Sequence, residues 1–225
     1  MKSIISLILF SVLLFSCDDD PGKGTYVNTP LVLESGDGWT EETCGPDIYP
    51  CPPYGTRQFQ TVRNIPFLPG NAAAEALLVD GSLSADLAAF YRMRDDGYRM
   101  LMIATTTGWC EHCEAQMDTM PLLVEDYGFL SDNPEVAFLV VVMEDENLDW
   151  ATLEYSGIYS ADHDMDDLIP VTNDPGRAFF QLMTASAYPF NLYIDLRDMT
   201  IFAYSSALET EELFGQELES LLNQL

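Results

Sequence analysis

Continuous apolar runs and helically spaced apolar residues follow one another along most of this chain. The run at 99–105 predicts a buried strand, and the run at 136–143, rich in β-branched residues, predicts a central strand covered on both faces. Apolar residues three or four positions apart predict helices over 114–123 and 148–158, and an amphipathic helix over 213–225. This alternation is typical of an α/β protein.

Shorter patterns fill the intervals between these elements. Four further strands are predicted, at 65–68, 76–79, 188–194 and 200–204. A helix capped by Ser84 is expected to end at Gly97, and Asp174 with Pro175 is a favourable helix start. The order of strands and helices predicts one domain with a mixed sheet over residues 58–225.

Composition narrows the class of protein. With 48% hydrophobic and 12% aromatic residues, a chain of 225 residues can bury a substantial core, which excludes disorder of the whole chain. The formal net charge is -28, and the only lysines are Lys2 and Lys23. Nucleic acid and anionic membrane surfaces would be repelled, so neither is expected as a partner. We interpret the acidic residues as a solvated surface.

The first residues predict export. A charged start at 1–3 and an apolar run at 4–15 have the form of a secretory signal, and the run is shorter than the roughly 20 residues of a spanning helix. Residues 14–17 resemble the lipobox of bacterial lipoproteins, which implies a signal peptide at 1–16 and an acyl anchor on Cys17. An uncleaved anchor is the alternative.

Between the anchor and the domain, residues 17–43 are acidic, contain glycines and lack periodicity, which favours a flexible tether. With Cys17 assigned to the anchor, four cysteines remain, as two pairs. Cys44 and Cys51 lie in a Cys/Pro-rich extension at 44–57 that is dense in turn formers. We predict a structural disulfide here rather than a second redox centre, because no helix start or basic neighbour would activate either thiol.

The second pair carries the candidate chemistry. Cys110 and Cys113 are separated by two residues and lie where a predicted strand leads into a predicted helix. The positive end of the helix dipole would stabilise the thiolate of Cys110, so Cys110 is the candidate nucleophile and Cys113 the resolving thiol. Protonated His112 would favour that thiolate and Glu111 would oppose it. Trp109 is interpreted as an aromatic shield beside the dithiol, or as a core residue.

Two motifs carry a family resemblance. The segment 109–113 between strand and helix, and the later segment 188–195, resemble the thioredoxin superfamily, most closely its membrane-tethered TlpA-type and redoxin proteins. The resemblance implies a thioredoxin-like three-layer α/β fold with a central mixed β-sheet flanked by helices, plus an N-terminal extension. It also implies that Pro189 is cis and faces the dithiol, and that the backbone of Tyr188 pairs with an extended substrate.

Some positions depart from the family pattern. Ala104 stands where thioredoxin has a buried acid for proton transfer, and Asp118 stands where the helix usually has a proline. Three threonines at 105–107 replace the aromatic residue and its neighbours before the motif. These differences bear on the rate of reduction and on substrate range.

The function implied is a membrane-anchored extracytoplasmic thiol-disulfide oxidoreductase, facing the periplasm of a bacterial cell envelope and using no cofactor. Its partners would be exported proteins with thiols or disulfides and a membrane redox donor or acceptor. The alternative is a non-catalytic binding or assembly lipoprotein, in which Cys110 and Cys113 form a structural disulfide or a copper site. His163 would be the third copper ligand, but it lies among aspartates and is interpreted as a solvated surface histidine. No metal site is predicted.

Overall fold

The structure is a computed structural model that describes residues 44–184, 187–206, 208 and 210–225. The predicted signal peptide at 1–16, the Cys17 anchor and the tether at 17–43 lie outside the described residues. Across the part of the chain that is described, no helix is both long enough and apolar enough to span a bilayer.

Seven strands and five helices make up the described chain. The strands are β1 (Pro66–Phe67), β2 (Ala85–Asp86), β3 (Met100–Thr107), β4 (Val136–Glu144), β5 (Val171–Asn173), β6 (Phe190–Asp195) and β7 (Thr200–Ser206). The helices are α1 (Ala72–Glu75), α2 (Leu87–Met93), α3 (Glu111–Asp126), α4 (Leu153–Asp162) and α5 (Glu211–Leu222). The main sheet has the order β5-β4-β3-β6-β7, and β1 pairs with β2 alone.

The main sheet is mixed, as the sequence predicts. Strands β3, β4 and β5 are parallel, whereas β6 is antiparallel to β3 and β7 is antiparallel to β6. Side chains of successive residues on β3 alternate between two cores, because strand residues point to opposite faces. Leu101 and Ile103 pack in the core that includes α2, and Met100 and Met102 pack in the core that includes α3, α4 and α5. The predicted three-layer fold is confirmed.

The helix after residue 84 begins differently from the prediction. Residues Ala85–Asp86 form β2, and Asp86 rather than Ser84 precedes α2 without a capping bond of its own. The amide of Asn64 supplies the cap instead, because its Oδ1 accepts from the backbone N–H of Ala88 at 2.9 Å. Gly97 follows the short 3₁₀ turn that ends this region, at a φ of 101°, as predicted.

The predicted strand at 76–79 is wrong. The chain forms α1 just before it, capped by Asn71, whose side chain accepts from the Ala74 N–H. The amide of Asn71 also donates to the carbonyl of Ile169 at 2.8 Å. This contact with a segment far along the chain fixes the turn, and Leu77 then packs against the core without a sheet partner.

Two other helix predictions need correction. Helix α4 begins at Leu153 rather than near 148, because the Asp145 carboxylate accepts from the N–H groups of Asn147 and Asp149 and holds a turn there. Asp174 starts only a turn that leads to a short 3₁₀ segment at Phe180–Leu182. Its carboxylate caps that turn, and burial raises its pKa.

The N-terminal extension is tied to the domain. Cys44 and Cys51 form the predicted disulfide, with 5.0 Å between their Cα atoms. Between them, Tyr49 is buried in the core, and its hydroxyl donates to the carbonyl of Val62 at 2.9 Å. Tyr91 of α2 donates from the other side to the carbonyl of Pro46, so the small loop is a packed part of the fold.

Candidate active site

The dithiol lies where β3 gives way to α3. Cys110 is the capping residue of α3, and its carbonyl accepts from the backbone N–H groups of Cys113 at 2.9 Å and Glu114 at 3.1 Å. The first N–H groups of a helix carry partial positive charge and have no partner within the helix. The fold therefore places Cys110 at the position most favourable to a thiolate.

Cys110 is the more acidic thiol of the pair. The pKa of Cys110 is lowered to about 7, first by a hydrogen bond from the Cys113 thiol and then by the backbone N–H groups of Cys113 and His112, against the opposing effect of burial. The charge of His112 adds a smaller lowering effect. This lowered pKa raises the fraction of Cys110 that is thiolate at neutral pH, and the thiolate is the reactive form.

Cys113 has the opposite character. It is fully buried on the inner face of α3, and burial raises its pKa strongly, with the hydrogen bond to Cys110 and the nearby Cys110 charge as further causes. Cys110 thus ionises far more readily than Cys113, which keeps its proton. This asymmetry is what thiol-disulfide exchange requires of an attacking sulfur and a resolving sulfur.

The segment at Tyr188 and Pro189 meets the dithiol across the sheet. The Tyr188–Pro189 peptide bond is cis, as expected from the resemblance. Strand β6 begins directly after it, and the pairing of Phe190 with Thr105 brings this segment to the same end of the sheet as the dithiol. The Cys110 thiol donates to the Tyr188 carbonyl, with 3.7 Å from Sγ to O.

Trp109 forms one wall of the site. Its side chain is partly exposed, at 37%, so it is a wall residue rather than a core residue. The indole N–H donates to the Glu144 carboxylate at 2.9 Å, and the ring meets the Tyr188 ring edge-on at 6.1 Å. The chain turns at Gly108, where a Cβ atom would lie 1.9 Å from the Tyr155 hydroxyl, so a larger residue would require the Tyr155 side chain to move.

The site is strongly acidic on its helical side. Glu111 and Glu114 occupy the first turn of α3, and Glu111 and His112 are exposed. Carboxylates at this end of a helix stabilise the helix but oppose a neighbouring thiolate. The low pKa of Cys110 therefore comes mainly from direct hydrogen bonds, with a smaller lowering effect of the His112 charge.

Position 104, where thioredoxin has a buried acid, lies among neutral groups. Ala104 is buried and pairs with Asn191 of β6. The Asn191 side chain forms two hydrogen bonds with the amide of Gln116 on α3, at 2.8 and 3.1 Å, and both residues are fully buried. Primary amides do not titrate in this range. The two amides thus satisfy each other's hydrogen-bonding groups in the core, but neither can act as a base.

His163 is not a solvated residue, so that interpretation was wrong. Its side chain is 10% exposed, its Nδ1 lies 2.7 Å from the Asp118 carboxylate, and its ring packs on Tyr159 at 4.5 Å. Asp118 therefore connects α3 to the residue that follows α4. Across the described ranges, no group of three or more His, Cys, Asp or Glu side chains is arranged to hold a metal ion.

No protein-family model matches the chain, and neither does any curated protein. Solved structures do match. A hypothetical protein of Sinorhizobium meliloti 1021 has a TM-score of 0.53 at 13% identity, over 74% of this chain and 82% of its own. The C-terminal domain of a Bacteroides thetaiotaomicron protein assigned as a thiol-disulfide oxidoreductase has a TM-score of 0.52 at 9% identity, over 76% of this chain and 99% of its own.

The fold is thioredoxin-like. At identities this low the likeness concerns the fold, so the chemistry of the site has to be argued from its own residues.

Sequence reasoning missed several residues of the site. Thr106 and Tyr159 form a buried hydrogen bond at 2.7 Å, and Gln116 and Asn191 form the amide pair described above. The three threonines at 105–107 were the available signal, since hydroxyl groups at the end of a buried strand need partners. The hydroxyl groups of Thr105 and Thr106 find partners in distant segments, which periodicity does not identify.

Proposed function

We propose that this protein is a thiol-disulfide oxidoreductase that acts on protein substrates, with Cys110 as the nucleophile and Cys113 as the resolving thiol. The observation that carries the proposal is the opposite shift of the two pKa values, to about 7 for Cys110 and upward for the buried Cys113. A structural disulfide has no need of a stabilised thiolate at one sulfur.

The proposed exchange has two steps. The Cys110 thiolate attacks a substrate disulfide, forming a mixed disulfide and releasing one substrate thiolate, which takes up a proton. Cys113 then attacks the Cys110 sulfur, so that the dithiol becomes a disulfide and the substrate is fully reduced. The reverse sequence oxidises a substrate dithiol.

Substrate binding is proposed for the surface beside Cys110 that Trp109 and Tyr188 form. The Tyr188 carbonyl lies beside the Cys110 sulfur, where it can accept a backbone N–H from an extended substrate segment. The two aromatic rings contact each other edge-on, at 6.1 Å between centroids, and add apolar area to this surface. Glu111 and His112, exposed at its rim, are proposed to tune the reactivity of Cys110.

Reduction of insulin and oxidative refolding of a reduced protein together test the proposal. The full chain in detergent is expected to catalyse at least one of these reactions, and Cys110→Ser is expected to catalyse neither. A wild-type protein inactive in both assays, with Cys110 no more reactive than Cys113 toward iodoacetamide, would contradict the proposal in favour of a binding module. The reduction potential of the dithiol then separates a reductant from an oxidant.

The location of the protein in the cell envelope is also part of the proposal. Export and lipid anchoring at Cys17 rest on the resemblance of residues 14–17 to a lipobox. The partners are then exported proteins with thiols or disulfides, and a membrane donor or acceptor that resets the dithiol. Incorporation of labelled palmitate by the wild type but not by Cys17→Ser tests the anchor; equal labelling of both would contradict it.

A further inference from the structure

Two buried hydroxyl groups lie near the resolving thiol. Thr106 Oγ1 and the Tyr159 hydroxyl oxygen are 2.7 Å apart, and Thr106 is fully buried while Tyr159 is 5% exposed. Hydrogen bonds from the Thr106 side chain and from the Thr107 backbone act to lower the pKa of Cys113, against the larger opposing effect of burial. The sulfur of Cys113, the threonine hydroxyl and the phenol thus form one continuous chain.

The resolving step requires hydrogen-bond donors that stabilise the Cys113 thiolate. Cys113 must lose its proton to attack, and its burial opposes the thiolate. Position 104, the family's place for a buried acid, holds Ala104, and the nearby amides of Gln116 and Asn191 neither accept nor release a proton in the relevant range. Donors that stabilise the Cys113 thiolate therefore have to come from elsewhere.

One arrangement of the hydroxyl hydrogen atoms of Tyr159 and Thr106 allows them to stabilise the Cys113 thiolate. Burial raises the pKa of the Tyr159 phenol, so the phenol stays protonated and can donate. Each hydroxyl has a single hydrogen. If Tyr159 donates to Thr106 Oγ1, the threonine hydrogen is free to point at Cys113, and each bond polarises the next.

We propose that Thr106 and Tyr159 are positioning residues that stabilise the Cys113 thiolate in the resolving step. The inference rests on the proposed function of the dithiol. In that step a bond forms between the Cys113 and Cys110 sulfurs, and the bond from Cys110 to the substrate sulfur breaks. The substrate thiolate leaves with the electron pair and takes up the proton that Cys113 released, so the substrate is reduced and the dithiol oxidised.

Other titratable groups also surround this chain. Tyr155 of α4 and Glu114 of α3 lie near enough to Tyr159 to raise its pKa, as does Cys113. His163 packs its ring on Tyr159. Tyr159→Phe keeps these ring contacts and removes only the hydroxyl, which makes it a clean substitution.

The experiment separates the two steps with glutathione disulfide as the probe. The reduced full chain in detergent is mixed with the probe, quenched with acid at successive times and mapped by mass spectrometry. Peptides carrying Cys110 and Cys113 report the Cys110–glutathione adduct and its conversion to the internal disulfide. The variants are Thr106→Val, Tyr159→Phe and the double variant. Thr106→Ser restores a hydroxyl, and Tyr193→Phe removes the phenol that lies 2.9 Å from Ser205 in the same core.

Formation of the adduct is expected at the wild-type rate in every variant. Resolution of the adduct is expected to slow about tenfold in Thr106→Val and in Tyr159→Phe. Thr106→Val removes the hydrogen bond to the developing Cys113 thiolate, and Tyr159→Phe removes the hydrogen bond that orients the Thr106 hydroxyl. The double variant is expected to be no slower than Thr106→Val, because the hydroxyls act as one chain. The variants should need about one more pH unit to reach the wild-type rate. Thr106→Ser and Tyr193→Phe should resolve as the wild type does.

Resolution at the wild-type rate in Thr106→Val and Tyr159→Phe, across roughly pH 6 to 9, would overturn the inference. Equal slowing of adduct formation and resolution, or equal slowing in Tyr193→Phe, would also overturn it, since the effect would then be structural. A wild type that forms no adduct, or never resolves it, would instead overturn the proposed function.

Discussion

Cys44 and Cys51 form a bridge in a surface turn, whereas Cys110 and Cys113 are buried thiols at the end of the central sheet. Cys51 is exposed and is followed by two prolines, and none of the described helices begins beside it. Cys110 is only 4% exposed, yet it has the lowered pKa. Exposure therefore does not mark the reactive pair; donors aimed at the sulfur do.

The two pairs also differ in what lies between their cysteines. The loop from Cys44 to Cys51 contains Tyr49, which anchors it in the core. The turn from Cys110 to Cys113 contains Glu111 and His112, which are exposed. The loop from Cys44 to Cys51 is therefore fixed by packing. The turn from Cys110 to Cys113 instead exposes two side chains that a partner can contact.

Loss of the nucleophile should have the largest effect. Cys110→Ser is expected to lower the rate of insulin reduction by about a thousandfold or more, because no other described thiol is activated. Cys51→Ser provides the matched control and should retain activity within about threefold. Comparable losses of activity in Cys110→Ser and Cys51→Ser would show that the two cysteine pairs do not differ in their role.

Loss of the resolving thiol should come next. Cys113→Ser is expected to lower turnover about a hundredfold and to hold substrates as mixed disulfides on Cys110. Non-reducing gels with labelled insulin chains measure the adduct. If Cys113→Ser turned over normally without adducts, the assigned roles of the two sulfurs would be wrong.

Removal of the disulfide between Cys44 and Cys51 should lower stability rather than activity. Opening so short a loop with Cys44→Ser and Cys51→Ser together is expected to lower the free energy of unfolding by roughly 2 to 3 kcal/mol in the chain-entropy model. Urea denaturation followed by tryptophan fluorescence measures the change. Unaltered stability combined with lost insulin reduction would make this pair a second redox centre.

The pH dependence should be the smallest effect. Because the pKa of Cys110 is about 7, its rate of alkylation by iodoacetamide should rise about tenfold from pH 6 to pH 8 and then level off. A lowered folded-state pKa also stabilises the reduced fold above the unfolded thiol's pKa of about 8.5. That contribution is lost as the pH falls through about 7. A midpoint near that of an unfolded thiol would contradict the lowered pKa.

Most of the fold followed from local pattern. The run at 136–143 became β4, the spacing after Cys110 became α3, and the order of elements gave the mixed sheet. Errors arose where a distant residue fixed a local segment, as Asn71 does through Ile169 and Asn64 does for α2. Such partners are separated by long stretches of chain, so no window of periodicity contains both.

The sequence by itself determined the dithiol and its place between a strand and a helix, because both depend on residues adjacent in the chain. Only the tertiary structure decided which groups surround it. The Tyr188 carbonyl reaches Cys110 from 78 positions away, and Tyr159 reaches Thr106 from 53. Hydrogen bonds act only between atoms a few ångström apart, and folding alone brings these atoms that close.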